Sequence, residues 1–357
     1  MPKVLLLTRY DRLGASSRVR FLQFLPGLAQ RGFEVDVSPL LDDVYVRSLY
    51  GGQGSGVGGI LRAYVRRTAA LMRRRHYDLI WLEKEALPWI PGWIEALMRP
   101  RVPFVVDLDD AWFHRYEHHS NAAVRGLLSN KIDAVMRAAS IVVAGNDYVA
   151  ERARAAGARQ IEIIPSVIDL ARYPAAATAP RSGGPIVVGW IGIPLNVHYL
   201  KRIEPALRRF ASTRDVRLRV VGARAPAEFA GLPVDPYAWS EAREIDRIDA
   251  FDIGVMPLDD TPWERGKCAY KLIQMMAAGK PVIASPVGAN RRVVRHGVNG
   301  FLAETPEEWT SAFEQLAADP DLRIRMGLEA RRTVAEGYTL SAVLPRQAAI
   351  LSAAAAR

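Results

Sequence analysis

The apolar positions of this chain fall into short runs of strand length, separated by stretches with helical spacing. Residues 4–7, 34–38, 78–81, 103–107, 141–144 and 161–164 read as strands, and amphipathic segments lie between them. Strands of this kind alternating with helices predict a parallel sheet covered by helices on both faces. A stretch with little to bury follows at 171–185 (ARYPAAATAPRSGGP), after which the alternation resumes at 186–191, 217–221, 252–257 and 281–284. The pattern therefore predicts an α/β protein of two doubly wound parallel-sheet domains, 1–172 and 186–337, with a linker at 173–185 and a terminal segment at 338–357. Thr305-Pro306-Glu307-Glu308 predicts a helix start with a capping box, and Asp319-Pro320 opens a further helix that Gly337 can close. With 357 residues, half of them hydrophobic, the chain has material for two cores.

The most informative stretch is 252–303, which runs strand, polar loop, helix, strand and Gly-rich turn. Its helix is expected over 267–278, stopping at Gly279, a residue suited to the left-handed position after a helix. A loop at the carboxyl end of one parallel strand that opens the next helix is where open α/β sheets place phosphates. The helix start there offers unpaired N–H groups and positive dipole charge. Gln274-Met275-Met276-Ala277, Gly279-Lys280-Pro281-Val282-Ile283-Ala284, Gly288 to Val294 and Asn299-Gly300-Phe301-Leu302 together resemble consecutive motifs of the retaining glycosyltransferases of family 4 (group 1). Ile163-Ile164-Pro165 with Asp169 is similar to that family's segment entering the interdomain linker, so the resemblance spans most of the chain. It implies the GT-B fold of two facing Rossmann-like domains, with the final helix in 338–357 crossing back onto the N-terminal domain. It further implies transfer of a sugar from a nucleotide-diphosphate-sugar donor on the C-terminal domain to an acceptor hydroxyl on the N-terminal domain, with retention. In that mechanism the leaving phosphate takes the acceptor proton, and the protein supplies orientation and charge stabilisation. No cofactor beyond the donor substrate is implied, and the acceptor is expected to be a glycan or lipid-linked molecule.

Two departures from the family pattern shape the expected donor site. The family's paired glutamates, eight positions apart, fall on Gly266 and Gln274. Gln274 can hold the donor ribose as a neutral hydrogen-bonding group, and Glu264 is the nearest carboxylate for the sugar contact that Gly266 cannot make. The family's Gly-Arg after the first strand of the second domain is missing, since Gly189 is followed by Trp190. The cationic clamp is then expected from Lys267 and Lys271, four apart and so expected on one helix face. Gly192 can bring backbone close to the diphosphate, and Asn196 can bind phosphate or cap the next helix. A sugar-nucleotide epimerase of the same architecture is the related reading.

In the first domain, the loop 8–17 (TRYDRLGASS) leads into a helix for which Ser16 is the expected N-cap, with Arg18 suited to an anionic group on the acceptor. No Gly-Xaa-Gly-Xaa-Xaa-Gly suggests a dinucleotide cofactor. Asp107-Leu108-Asp109-Asp110 stands at the carboxyl end of a buried strand, where like charges repel one another without an offsetting role. Asp107 and Asp110 are expected to serve the acceptor, Asp110 by orienting or deprotonating its hydroxyl. A divalent ion on the aspartates, or a structural role in which Asp109 caps a helix and Asp107 pairs with an arginine, are the competing readings. His114, His118 and His119, on an expected loop, lack a recognised zinc spacing, and no metal is expected.

Bulk composition narrows the function classes. The net charge of +10 comes from 48 basic and 38 acidic residues spread over both halves, and only seven of the basic residues are lysine. That is an arginine bias, not a nucleic-acid-binding tail, and no nucleic-acid partner is expected. A non-catalytic nucleic-acid- or lipid-binding protein is the rival from another class, and a steep salt dependence of binding would mark it. One cysteine, Cys268, excludes an intrachain disulfide and fits a reducing cytoplasm. No signal-peptide pattern and no membrane-spanning apolar run is apparent, so a cytoplasmic location is expected, with any membrane contact peripheral and at the inner face. Such contact is suggested by 61–75 (LRAYVRRTAALMRRR), which has six arginines and no acid. On a helix its Leu61, Val65, Thr68 and Met72 share one face, as in helices that lie on anionic membranes. The nearby Trp89 and Trp93 suit an interface or a lipid-linked acceptor.

Overall fold

The computed structural model describes residues 1–50, 56–98, 102–179 and 183–357. Residues 180–182 of the expected linker, and the side chains of Arg74 and Arg75, lie outside the described residues. The chain forms two compact units. The first comprises Met1–Ser166, Arg265–Cys268 and Val343–Arg357, and the second Val167–Glu264 and Ala269–Ala342. The passage from the first unit to the second thus falls at Val167, ahead of the expected linker.

The first sheet contains β1 (Lys3–Tyr10), β2 (Glu34–Leu41), β3 (Leu79–Glu83), β4 (Phe104–Leu108), β5 (Ile141–Ala144) and β6 (Ile161–Ile163). All are parallel, in the order β2-β1-β3-β4-β5-β6. Every residue of β3, β4 and β5 is buried, which is why these segments are apolar without alternation. Trp81 of β3 is fully buried, its ring 4.9 Å from that of Phe21. β1 runs past its apolar stretch to Tyr10 because it pairs along β2 as far as Leu41. The order reverses between β1 and β3, and open sheets bind ligands outside the carboxyl ends at such a switch point.

The second sheet contains β7 (Ile186–Ile191), β8 (Val216–Val221), β9 (Val234–Tyr237), β10 (Ile253–Met256), β11 (Val282–Ala284) and β12 (Gly300–Leu302). Its parallel order is β12-β11-β10-β7-β8-β9, with the switch point between β10 and β7. Leu272, Ile273, Met275 and Met276 belong to one of its two cores, and Leu200, Phe210, Trp309 and Phe313 to the other. The strands β9 and β12 lie outside the runs that the apolar pattern marks as strands. Both are edge strands, and the edge is what tolerates Pro236 inside β9, since a proline there forfeits no bond to a strand on its outer side.

Three local expectations are corrected. The helix expected from residue 267 begins only at Tyr270, because Ala269 adopts the left-handed region (φ 54°), so Lys267 and Lys271 do not share a helix face. Ser16 is not an N-cap: the helix is Ala15–Arg20 and Gly14 precedes it. His114 lies in a short helix, His114–Glu117, and not in a loop. The capping box at Thr305 and Glu308 is present as expected.

Candidate functional site

At the switch point of the first sheet, β3 ends in three consecutive charged residues that are all buried. Glu83, Lys84 and Glu85 are 1%, 3% and 4% exposed. Lys84 sits at φ 63°, in the left-handed region, and its Nζ lies 3.0 Å from Asp109 Oδ1 and 3.1 Å from Asp110 Oδ2. The same ammonium stands 4.8 Å from the centre of the Trp112 ring. Glu83 Oε2 accepts the Arg9 backbone N–H at 2.7 Å and the Ser17 hydroxyl at 2.6 Å. The Ser16 hydroxyl lies 3.0 Å from Glu83 Oε1 and 2.6 Å from Asp109 Oδ2. One hydroxyl hydrogen cannot serve both carboxyls, so the arrangement favours a proton on Glu83, whose affinity for it burial raises.

The carboxyls of this cluster divide by environment. Burial raises the proton affinity of Asp109 and the Lys84 ammonium lowers it, and the balance lies below the ordinary carboxylate value. At Asp110 burial outweighs Lys84, and its carboxyl is pushed up. Asp107 is 1% exposed and takes the Arg20 Nε–H at 2.7 Å, while burial pushes its carboxyl up to about 6. The expectation that Asp107 touches an acceptor gives way to this pairing, since a carboxylate so buried requires a cation of its own. Ser16 likewise directs its hydroxyl to protein carboxyls, and Arg18, 9% exposed, donates to the Arg12 carbonyl at 3.0 Å. Asp109 is not a helix cap but the partner of Ser16 and Lys84. Thr8 Oγ1, Asp107 Oδ2 and Asp110 Oδ1 are buried with no hydrogen-bond partner among the described residues.

Beside this cluster Glu85 accepts from Trp112 Nε1 at 2.7 Å and the Tyr116 hydroxyl at 2.8 Å, and Lys131 Nζ lies 2.6 Å from it. Lys131 also reaches Glu95 at 3.2 Å. None of Glu83, Lys84, Glu85 or Lys131 stands out from motif reasoning. The available signal is a run of three charges directly after the apolar Leu79-Ile80-Trp81-Leu82. The structure also groups His114, Glu117 and His118, with ligand atoms within 4.8 Å of one another. The polar atoms of His114 and Glu117 are already engaged: His114 Nδ1 lies 2.8 Å from Glu117, its Nε2 lies 2.8 Å from the Tyr148 hydroxyl, and Glu117 binds Arg152.

The segment Arg265–Cys268 belongs to the first unit. Asn146 Nδ2 donates to the Gly266 carbonyl at 2.6 Å, and the Cys268 thiol donates to the Asp109 carbonyl at 2.7 Å. Burial pushes that thiol up to about 12, so Cys268 packs and does not react. A Cβ at Gly266 would come within 2.4 Å of Ala111 Cβ and 2.6 Å of its backbone nitrogen, so no glutamate fits at this position. Lys267, half-buried, acts electrostatically on Asp110, and the shared-face argument for it as a donor ligand fails.

In the second unit the ends of β7 and β8 lead into a bare stretch of backbone. A Cβ at Gly192 would meet the Trp190 ring at 2.4 Å and Lys271 Nζ at 2.7 Å, and one at Gly222 (φ 91°) would meet the Gly192 carbonyl oxygen at 2.1 Å. Both loops therefore require glycine, and the Lys271 ammonium sits beside them, 4.7 Å from the centre of the Trp190 ring. Asn196 follows in the 3₁₀ helix Pro194–Ile203, half-buried. Gln274, 3% exposed, bonds the Tyr173 hydroxyl. Glu264, expected to reach the donor sugar, is instead turned inward, where it is 6% exposed and accepts from the Tyr199 and Thr261 hydroxyls.

Comparison with known proteins agrees with this layout. A family model described as "Glycosyltransferase Family 4" matches residues 18–172, and one described as "Glycosyl transferases group 1" matches 186–319. A D-inositol 3-phosphate glycosyltransferase of Actinosynnema mirum is 25% identical, over 85% of this chain and 84% of that protein. Among solved structures, Anabaena HepE in complex with UDP-glucose superposes with a TM-score of 0.74 at 18% identity, covering 99% of this chain and 100% of that one. WaaG, a glycosyltransferase of lipopolysaccharide biosynthesis, gives 0.70 at 14% identity, over 98% and 99%. At these identities the structural likeness carries the fold, GT-B, while the sequence matches carry the activity. The epimerase and the non-catalytic basic protein are not favoured by them. The chain belongs to the family 4, group 1 glycosyltransferases, and is an enzyme of glycosyl transfer.

Proposed function

We propose that the second unit holds a nucleotide-diphosphate-sugar donor, that the first unit holds the acceptor, and that transfer retains the anomeric configuration. The acceptor half rests on one observation: Asp110 carries a buried, unpartnered Oδ1 beside an ammonium, at the edge of the sheet where ligands bind. An acceptor hydroxyl donating to that oxygen would satisfy it and be oriented for attack, with the leaving phosphate taking the proton. The relative named for D-inositol 3-phosphate supports a phosphate-bearing polyol or a glycan or lipid-linked acceptor of like charge.

For the donor, the bare backbone at Gly192 and Gly222 beside Lys271 supports a diphosphate, with Asn196 near its entry and Gln274 toward the ribose. HepE was solved with UDP-glucose, which makes uridine-diphosphate sugars the first to test. Lys271→Ala should weaken donor binding by about 1.5–3 kcal/mol, the worth of a charge-assisted hydrogen bond. Asp110→Asn should lower transfer while donor affinity, read by calorimetry, stays at the wild-type value. Equal loss of donor affinity in Asp110→Asn would move the aspartate to the donor, and an inverted anomeric coupling in the product NMR spectrum would exclude retention. Among the described residues no helix is long and apolar enough to cross a membrane, and no cofactor beyond the donor is proposed.

A further inference from the structure

Helix Val57–Met72 turns an apolar stripe outward. At 100° per residue, Val57, Leu61, Val65 and Met72 fall within one narrow arc, and they are 84%, 65%, 62% and 74% exposed. Arg62, Arg66 and Arg73 follow on the adjoining arc, all exposed. The opposite face carries Ala63, Arg67 and Leu71, which are buried. Arg67 is the exception among the arginines: 1% exposed, it donates to the carbonyls of Thr8 and Ser38 and ties the helix to β1 and β2. The helix therefore has an inner face that packs, an arginine border and a solvent-facing apolar stripe, with no acidic residue along its length.

The stripe does not stand alone. Tyr64, at its other border, donates to the Pro88 carbonyl at 2.5 Å and so brings the segment after residue 88 alongside. That segment presents Trp93 at 65% and Leu97 at 76% exposure on successive turns of one helix face, with Trp89 at 39%. Past the arginine border, a groove of about 420 Å³ is lined by Leu41, Asp42, Val44, Tyr45, Arg62 and Arg66 among others, and Val44 is 66% exposed. Scattered exposed apolar residues need no explanation, but a contiguous set bordered by arginines does.

We propose that this face of the first unit lies on an anionic phospholipid surface, with the stripe and the two tryptophans entering the headgroup boundary and Arg62, Arg66 and Arg73 meeting lipid phosphates. The choice of partner follows from charge: apolar side chains fit any apolar partner, whereas a helix that carries exposed arginines and no acidic residue of its own, with Asp36 and Asp42 the acids beside its arginine border, favours a surface of dense negative charge. Attachment to such a surface is independent of which sugar and acceptor the enzyme uses, and a protein that transfers sugar normally in solution would still be expected to show it.

Co-sedimentation of the full chain with vesicles tests it. Vesicles of about one-third phosphatidylglycerol in phosphatidylcholine should bind the protein, phosphatidylcholine alone should not, and binding should weaken with salt. Arg62→Gln with Arg73→Gln should weaken binding roughly thirtyfold, at about 1 kcal/mol for each arginine near the surface. Arg66 is spared in this variant because it also bonds the Leu40 carbonyl. Leu61→Gln with Val65→Gln should abolish the binding that survives high salt, and both side chains are exposed enough that folding is retained. Arg325→Gln with Arg332→Gln, equally exposed arginines of the second unit, is the control and should bind as wild type. Binding indifferent to lipid charge, loss in the control equal to that in the helix variant, or concentration-dependent self-association without vesicle binding would each overturn the proposal.

Discussion

Lys84 adopts a backbone conformation that costs a residue with a Cβ roughly 1–2 kcal/mol. What offsets the cost is the ion pair its ammonium makes with both Asp109 and Asp110 in a buried setting, where removing one partner typically costs about 3–5 kcal/mol. The consequence for chemistry is on Asp110, whose proton affinity burial raises and Lys84 lowers. In Lys84→Met the opposing cation is gone, so Asp110 should ionise only at higher pH. If Asp110 acts ionised, the acidic limb of kcat/KM should move to higher pH in this variant and return toward the wild-type position in Lys84→Arg. An acidic limb unmoved by Lys84→Met would show that Lys84 serves stability alone. Asp110 was accessible to sequence reasoning because it stands just past a recognisable strand end. Glu83, Lys84 and Glu85 were not, because their partners come from Arg9, Ser17, Trp112, Tyr116 and Lys131, and charges after a strand ordinarily face water.

At the level of elements, the parallel strands with apolar cores are where period and burial coincide, and β5 and β7 have the bounds that hydrophobic pattern predicts. The pattern fails where tertiary contact decides. Residues 267–269 have helical spacing, yet Asn146 and Asp109 hold Gly266 and Cys268 by hydrogen bonds, and the helix starts after the left-handed Ala269. β9 was hidden by Pro236, whose penalty depends on an edge position that sequence does not reveal. The same contacts make the glycine at 266 obligatory. Gly266→Ala should destabilise the protein by about 1–3 kcal/mol through overpacking against Ala111, and Gly266→Glu by more, in spite of matching the family residue. Gly126 makes the contrast: it lies in helix Ala122–Leu128, and a Cβ there meets nothing within 4 Å. Gly126→Ala should therefore raise stability by up to about 1 kcal/mol, from helix propensity alone. Thermal or urea denaturation of the two alanine variants would check this, and equal shifts of the same sign would contradict the packing argument.

For the whole molecule, the consequential feature is the path of the chain, which returns to the first unit at Val343–Arg357. Helix Leu340–Ala355 buries Val343, Leu344, Ile350 and Leu351 there, Leu351 completely. Leu344 closes on Gly27 so tightly that a Cβ at that glycine would lie 2.2 Å from it, Arg346 pairs with Glu162 at 2.7 Å, and Arg357 donates to the Ser140 carbonyl at 2.9 Å. Burying each such aliphatic side chain contributes about 1.5–3 kcal/mol, so four of them match a large part of the roughly 5–15 kcal/mol by which domains are stable. Deleting 343–357 should accordingly unfold or loosen the first unit, although the deleted residues come last in the chain and carry no candidate catalytic group. The second unit keeps all of its own strands in that truncation. Transfer should then be lost, while binding of a uridine-diphosphate sugar, if that is the donor, persists in calorimetry near the full-length affinity. Leu351→Ala provides the graded version, with an expected loss of about 2–5 kcal/mol on thermal or denaturant unfolding. A truncated chain with wild-type unfolding and undiminished transfer would show that the returning helix is dispensable. Loss of donor binding together with transfer would instead show that the two units do not fold as separable bodies.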